Sequence, residues 1–373
     1  MPANVMVFLQ SEDYRQHGTW ALSLAERLGI MDRMLTASQN LVTQMAAELT
    51  TGMPFKGVYL APEYYFTAEH EENKRWPLTE EQRVQLEPQL LALSAKFPEI
   101  LIVPGTMFYA KPLVRTEESF QHGFDPATGT RTRLKSPNGD RRDKALQKLD
   151  SHIKNVHSRQ TEADPAFWRT WNEKGYSAGA HAVPALSAIQ KSVKSRKKNP
   201  WILRNSAYIL LGPRRIAKYD KQTDWGEALG NSPDDLAFIP GVQKQCPEIG
   251  GYRVGMEVCA DHGNGMLARR QVTPLHFHFV VSDCVPTSPG NMAMSAGGYF
   301  AHASTNYSNT ALYRRGSNGV PADITKDQKY WKLSNGCQGK MLDSYVVPLP
   351  PPIIPQKLTK PVVPPRPASW PKM

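Results

Sequence analysis

The sequence predicts an α/β fold, and three observations predict it. Apolar stretches of strand length alternate with amphipathic stretches of helical length over the first hundred residues. The composition is that of an ordinary globular chain, 40% hydrophobic and 21% charged. At 373 residues the chain can bury a sizeable core without metal or disulfide staples.

The elements follow in order. Residues 4–10 (Asn-Val-Met-Val-Phe-Leu-Gln) read as a first strand. Between 34 and 50, Met34, Leu35, Leu41, Val42, Met45, Ala46 and Leu49 recur at helical spacing, and Gly52 closes the pattern. Gly57–Glu63 is a second strand ending in Pro62-Glu63, and residues 79–97 form an amphipathic helix opened by Thr79-Glu80-Glu81. A third strand spans 99–104. Residues 205–212 form another, and a turn at Pro213-Arg214 makes a hairpin with Arg215–Tyr219. Residues 252–258 form a strand with Tyr252, Val254, Met256 and Val258 on one face; a Gly-Asn-Gly turn follows Cys259. Leu275–Val281 is a further strand, whereas Gly297–Tyr307 reads as a helix or turn segment feeding a later strand.

Two regions break this rhythm. About 111–200 is a polar insertion holding 18 Lys and Arg against 9 Asp and Glu, so it carries +9 of the net +11. Arg131, Arg133, Arg141, Arg142 and Lys144, then Lys191, Lys194, Arg196, Lys197 and Lys198, offer a grip on nucleic acid or an anionic surface, with Trp168 and Trp171 for stacking. No recognised nucleic-acid motif accompanies them. The domain proper is expected over 1–346, and 347–373 is a proline-rich extended tail, with ten prolines between 348 and 371. Within it, Pro361-Val362-Val363-Pro364-Pro365-Arg366 has the arrangement that SH3 grooves accept; the plainer expectation is an arm packed along the domain or a neighbouring subunit.

Four widely spaced cysteines (Cys246, Cys259, Cys284, Cys337) make no CxxC pair, which argues against a zinc ribbon or a disulfide scaffold and for a reduced, cytoplasmic protein. The N-terminus has no Sec signal pattern, and no apolar run is long enough to span a membrane.

Three strand ends carry reactive side chains: Glu63, Lys221 and Cys259. Cysteine supplies a nucleophile whose proton must leave near neutral pH. A carboxylate in reach takes that proton and returns it to a leaving amine. An ammonium, with the Ala260 N–H as a second donor, stabilises the oxyanion formed on attack at a carbonyl or nitrile carbon. Together these parts make an amide or nitrile hydrolase. Lys218 is a rival cation three residues upstream of Lys221. A metal set of Cys259, His262, His276 and His278 is a competing use of the cysteine, but His276 and His278 alternate with Phe277 and Phe279, as on the polar face of one strand. A Cys259–His262 dyad would have to close across a very short turn.

Here the sequence resembles the nitrilase superfamily of carbon–nitrogen hydrolases. Pro62-Glu63 is similar to its glutamate motif, Asn205-Ser206…Gly212…Tyr219-Asp220-Lys221 to its lysine motif, and Arg253–Asp261 to its cysteine motif; the Tyr-x-Lys spacing favours Lys221. Val5–Gln10 resembles the family's opening strand, and Val103-Pro104-Gly105-Thr106 its third. The resemblance implies an αββα four-layer sandwich, no metal or other cofactor, and homo-oligomers. It further implies a Glu63–Lys221–Cys259 triad acting through a thioester on a non-peptide carbon–nitrogen bond, with Glu227 as a second glutamate that positions substrate. An acyltransferase on the same triad, or a catalytically weak protein that binds partners through its insertion and tail, are the alternatives. The long insertion and the His262-Gly263-Asn264-Gly265 run after the cysteine motif depart from the family pattern, so substrate class does not carry over.

Overall fold

The computed structural model describes residues 4–49, 52–112, a few positions between 144 and 151, 201–223, 236–241, 246–269, 275–325, 330–333 and 340–349. Nearly all of the basic insertion, Glu227, Cys337 and the Pro361–Arg366 motif lie outside the described residues.

Two sheets form the centre. Strands β1 (Asn4–Glu12), β2 (Gly57–Leu60), β3 (Ile100–Val103), β4 (Thr106–Pro112), β5 (Trp201–Leu211), β6 (Arg214–Asp220) and β7 (Leu236–Phe238) belong to the first, with β14 (Tyr330–Leu333) and β15 (Lys340–Pro348) at its far edge. Its order is β14-β15-β1-β2-β3-β5-β4, with β6 and β7 also paired to β5. The second sheet runs β13-β12-β11-β10-β9-β8, from β8 (Glu248–Ile249), β9 (Tyr252–Val258), β10 (Leu275–Ser282), β11 (Met294–Ser304), β12 (Ala311–Arg315) and β13 (Pro321–Asp323).

The period-two alternation of the strands builds the layers. Val5, Val7 and Leu9 of β1, Val58 and Leu60 of β2, and Leu101 and Val103 of β3 face the second sheet. They meet Val254, Met256 and Val258 of β9, Phe277 and Phe279 of β10, and Tyr299 and Ala301 of β11. The intervening residues Met6, Phe8, Tyr59, Ile100 and Ile102 point the other way, into a core shared with two helices. Such near-continuous apolar strands are what a sheet buried on both faces requires.

After a helical turn, α1 (Tyr14–His17), those covering helices are α2 (Leu24–Gln44) and α3 (Glu80–Lys96). Ser23 and Glu26 close a reciprocal capping box at the start of α2, and Thr79 and Gln82 do the same for α3. On the outer face of the second sheet the described layer is thin. It holds two four-residue helices, α4 (Ala260–Gly263) and α5 (Met266–Arg269), and loop. No described helix is long and apolar enough to cross a membrane.

Two expectations need correction. The first long helix starts ten residues before 34, because the Ser23-Leu24-Ala25-Glu26 capping signal governs its start. Gly297–Tyr307 is not helical: most of it lies in β11, paired parallel to β10. The last strand, β15, lies antiparallel to β1 along its whole length and runs to Pro348.

Candidate active site

The structure brings Glu63, Lys221 and Cys259 to one place, where the ends of strands from both sheets converge. Glu63 lies just past β2 and is fully buried. Its Oε1 accepts hydrogen bonds from Lys221 Nζ at 2.8 Å and from Asn205 Nδ2 at 2.8 Å. Its Oε2 accepts from the Asp283 N–H at 3.0 Å. Three donors on one buried carboxylate fix its orientation.

Cys259 ends β9 with φ 48° and ψ −110°, outside the regions open to ordinary L-residues. Such a conformation costs on the order of 1–3 kcal/mol and persists only where surrounding contacts impose it. Its N–H donates to Val281 O at 2.9 Å, and its own carbonyl accepts from His262 and Gly263 as α4 begins. The side chain is thereby thrust out of the strand at the head of a helical turn. Burial and the neighbouring Glu63 carboxylate push the Cys259 thiol well above its usual range, while Lys221 and the Asp283 N–H act in the opposite sense.

The supports around the three side chains explain several motif residues. The Pro62–Tyr64 turn is pinned by Thr106 Oγ1, which accepts from Tyr64 N at 2.8 Å, and Tyr64 has a positive φ of 58°. Gly105 (φ 75°) lies so close to this turn that a Cβ there would come within 2.2 Å of Pro62 O. Lys221 is held by its backbone, with N donating to Asn205 O at 2.8 Å and O accepting from Gly241 N at 2.9 Å. Tyr219 OH donates to Asp261 at 2.7 Å, and the same carboxylate accepts from Gln222 N and Thr223 N. Asp261 thus ties the cysteine turn to the lysine loop. Burial pushes its carboxyl up to about 7 against the pull of those donors. Lys218, the rival cation, is engaged elsewhere, with Asp220 at 2.9 Å and Tyr109 OH at 3.2 Å.

A pocket of about 290 Å³ opens at the thiol, lined by Cys259, Ala260, Gly263, Asn264, Cys284, Val285 and Pro286. Ala260, Gly263 and Asn264 therefore line the pocket beside Cys259. Sequence reasoning missed Asn205 and Asp283 as partners of Glu63. The available signal for Asn205 was a polar residue opening the otherwise apolar run 207–211. Asp283 acts through its backbone, which leaves no mark in the side-chain sequence.

The histidines do not join Cys259. His276 Nδ1 accepts from Arg253 N at 2.9 Å. His262 and His278 instead converge with Glu257 in a fully buried cluster behind the corner. Glu257 Oε2 lies 3.0 Å from His262 Nδ1 and 2.8 Å from His278 Nε2, and Oε1 accepts from Leu267 N at 2.6 Å. The opposite ring nitrogens accept backbone N–H groups, Ser288 N to His262 Nε2 and Ala293 N to His278 Nδ1. A nitrogen that accepts is unprotonated, so each neutral ring carries its proton on the nitrogen facing Glu257. Those protons occupy the positions a cation would need, since a metal-bound histidine ordinarily donates through its other nitrogen. Burial raises the Glu257 carboxyl, while the two histidine donors pull it the other way and leave it below its usual range.

No family model matches the chain, and no curated protein matches it in sequence. Similar solved structures include a CN-hydrolase superfamily protein from Xanthomonas campestris with an arsenic adduct in its active site (10% identity, TM-score 0.41, covering 92% of this chain and 90% of that one). A carbon–nitrogen hydrolase from Helicobacter pylori is similar at 9% identity and TM-score 0.38, over 91% and 89% of the two chains. A glutamine-dependent NAD+ synthetase from Acinetobacter baumannii matches at 8% identity and TM-score 0.39, where this chain spans 45% of the longer protein. Likeness at this level transfers no activity.

Proposed function

We propose that this protein is a nitrilase-type thiol hydrolase acting on a non-peptide carbon–nitrogen bond of an amide, or of a nitrile, through Glu63, Lys221 and Cys259. The observation that carries the reading is the buried Glu63 carboxylate, held by Lys221 Nζ and the Asp283 N–H beside a cysteine in a strained strand-to-helix corner. In an amide, the Cys259 sulfur attacks the carbonyl carbon as its proton passes to Glu63. No free thiolate is needed, which fits a thiol whose ionisation is opposed by burial and by Glu63. Lys221 and the Ala260 N–H meet the oxyanion. The C–N bond breaks, the departing nitrogen takes the proton from Glu63, and a thioester remains on Cys259. Glu63 then deprotonates a water, which releases the acid and returns the proton to sulfur.

The pocket supports a compact, uncharged acyl group. Among the described lining residues none bears a formal charge at neutral pH when the thiols are protonated, and Asn264 alone offers a side-chain amide. The test is a panel of small aliphatic amides and nitriles assayed for ammonia release, with hydroxylamine added in parallel to intercept a thioester as hydroxamate. Ammonia and hydroxamate from wild type but not from Cys259→Ala support hydrolysis through an acyl-enzyme. Hydroxamate formed without measurable hydrolysis in water moves the reading to acyl transfer. Equal release by wild type and Cys259→Ala would remove the cysteine from the chemistry.

A further inference from the structure

Behind the nucleophile corner, on the face of the second sheet away from the first, a carboxylate and two imidazoles are fully buried with no part in the chemistry above. Such groups are costly to bury unless every donor and acceptor is used. Here they are used fully, and the connectivity is specific. Glu257 precedes Cys259 by two residues and His262 follows it by three, so the Glu257–His262 bond closes a short ring across the corner. Glu257 Oε1 reaches on to Leu267 N in α5, and His278 brings in the neighbouring strand, where β10 pairs with β9. The far side of the ring is also anchored: Ser288 N donates to His262 Nε2, and Asn291 Nδ2 donates to the His262 and Gly263 carbonyls at 2.8 and 3.0 Å.

We propose that Glu257, His262 and His278 form a positioning network that holds Cys259 and the Ala260 N–H in their attacking geometry by bridging the chain before and after the strained corner. The proposal rests on the thiol-hydrolase reading above. The chain at Cys259 can relax from φ 48° only if Val258 or the head of α4 moves, and the Glu257 carboxylate fixes both. His262 acts through its Nδ1–H as a donor to Glu257, and His278 through its Nε2–H. They are positioning residues, because neither ring reaches the pocket that Cys259 lines.

The donor assignment gives a test that separates positioning from simple support of the fold. Asparagine places its amide near the Nδ1 position of a histidine, so His262→Asn keeps the donor to Glu257, whereas His262→Leu removes it. The rate of Cys259 alkylation by iodoacetamide, followed by peptide mass, should fall at least tenfold in His262→Leu and in Glu257→Gln. In His262→Asn it should stay within about threefold of wild type. Equal rates in all variants, with only a lowered melting temperature, would make the cluster a stabilising element and overturn the proposal. Equal slowing in His262→Asn and His262→Leu would overturn the role of Nδ1–H. If the variants do not fold, 15N spectra of histidine-labelled wild-type protein still decide the donor pattern. His262 is expected as the Nδ1–H tautomer and His278 as the Nε2–H tautomer, and the reverse for either contradicts the network. A wild-type Cys259 that never reacts would sink the hydrolase reading instead, so the two failures are distinguishable.

Discussion

Glu63 and Lys221 act on the same thiol with opposite electrostatic effect, and that opposition gives a sharp expectation. The carboxylate raises the Cys259 thiol and the ammonium lowers it. Glu63→Gln should therefore shift the pH profile of Cys259 alkylation to lower pH while reducing amide turnover by about a thousandfold, since the proton acceptor is gone. Lys221→Met should shift the same profile to higher pH. A Glu63→Gln profile displaced upward would contradict the electrostatics. Asp261 offers a second check, because it links the cysteine turn to Tyr219, Gln222 and Thr223. Asp261→Asn leaves at least one of those donors without an acceptor, and should lower turnover by about tenfold without abolishing the iodoacetamide adduct.

Of two elements outside the three residues, one bears on the site and one only on the fold. Gly105 sits between β3 and β4 against the Glu63 turn, so Gly105→Ala must displace Pro62 or Tyr65. The expected outcome is a loss of both stability and turnover, with unfolding by urea at a lower midpoint. The capping box of α2 closes on Ser23 and Glu26 alone, and Ser23→Ala should cost about 1 kcal/mol of stability with turnover unchanged at temperatures below the transition. The contrast between these variants shows what was legible in the sequence. Glu63 and Cys259 stood out in the sequence because each follows an apolar strand, whereas Lys221 follows the polar strand Arg214–Asp220 and was singled out by the Tyr-x-Lys spacing. The faces of β9 were readable from simple alternation. The start of α2 was missed although Leu24, Leu28, Met31 and Leu35 already recur at helical spacing behind the Ser23 cap. β11 was misread because its Gly297-Gly298 pair looks like a turn, whereas Gly298 is packed against the Leu275 and His276 carbonyls of β10.

The molecule as a whole is two sheets facing each other across one apolar layer, and acid stability should report on its buried charge. Glu257 is held below its ordinary value of 4.5 in the fold. A carboxyl lowered by folding contributes stability that is complete above 4.5 and is lost as pH falls below it through the folded-state value. Urea midpoints measured at neutral pH and down this acid limb should fall steeply in wild type, and less so in Glu257→Gln, which starts lower but lacks the titration. Parallel slopes would mean that Glu257 does not carry the acid limb. The clustering of Glu257 with His262 and His278 was not legible beforehand, because it joins residues on two strands and a turn through the back of a sheet. Spacing alone suggested Cys259 as their companion.

The most direct measurement is intact mass and peptide mapping after iodoacetamide treatment at neutral pH, in a Cys284→Ser background that removes the exposed thiol at the pocket mouth. The account predicts one carbamidomethyl group on Cys259, formed as Glu63 takes the thiol proton while iodide leaves, and strongly slowed in Lys221→Met. A Cys259 still unmodified after Cys246 has reacted fully would contradict it, and would leave the strained corner without the chemistry assigned to it.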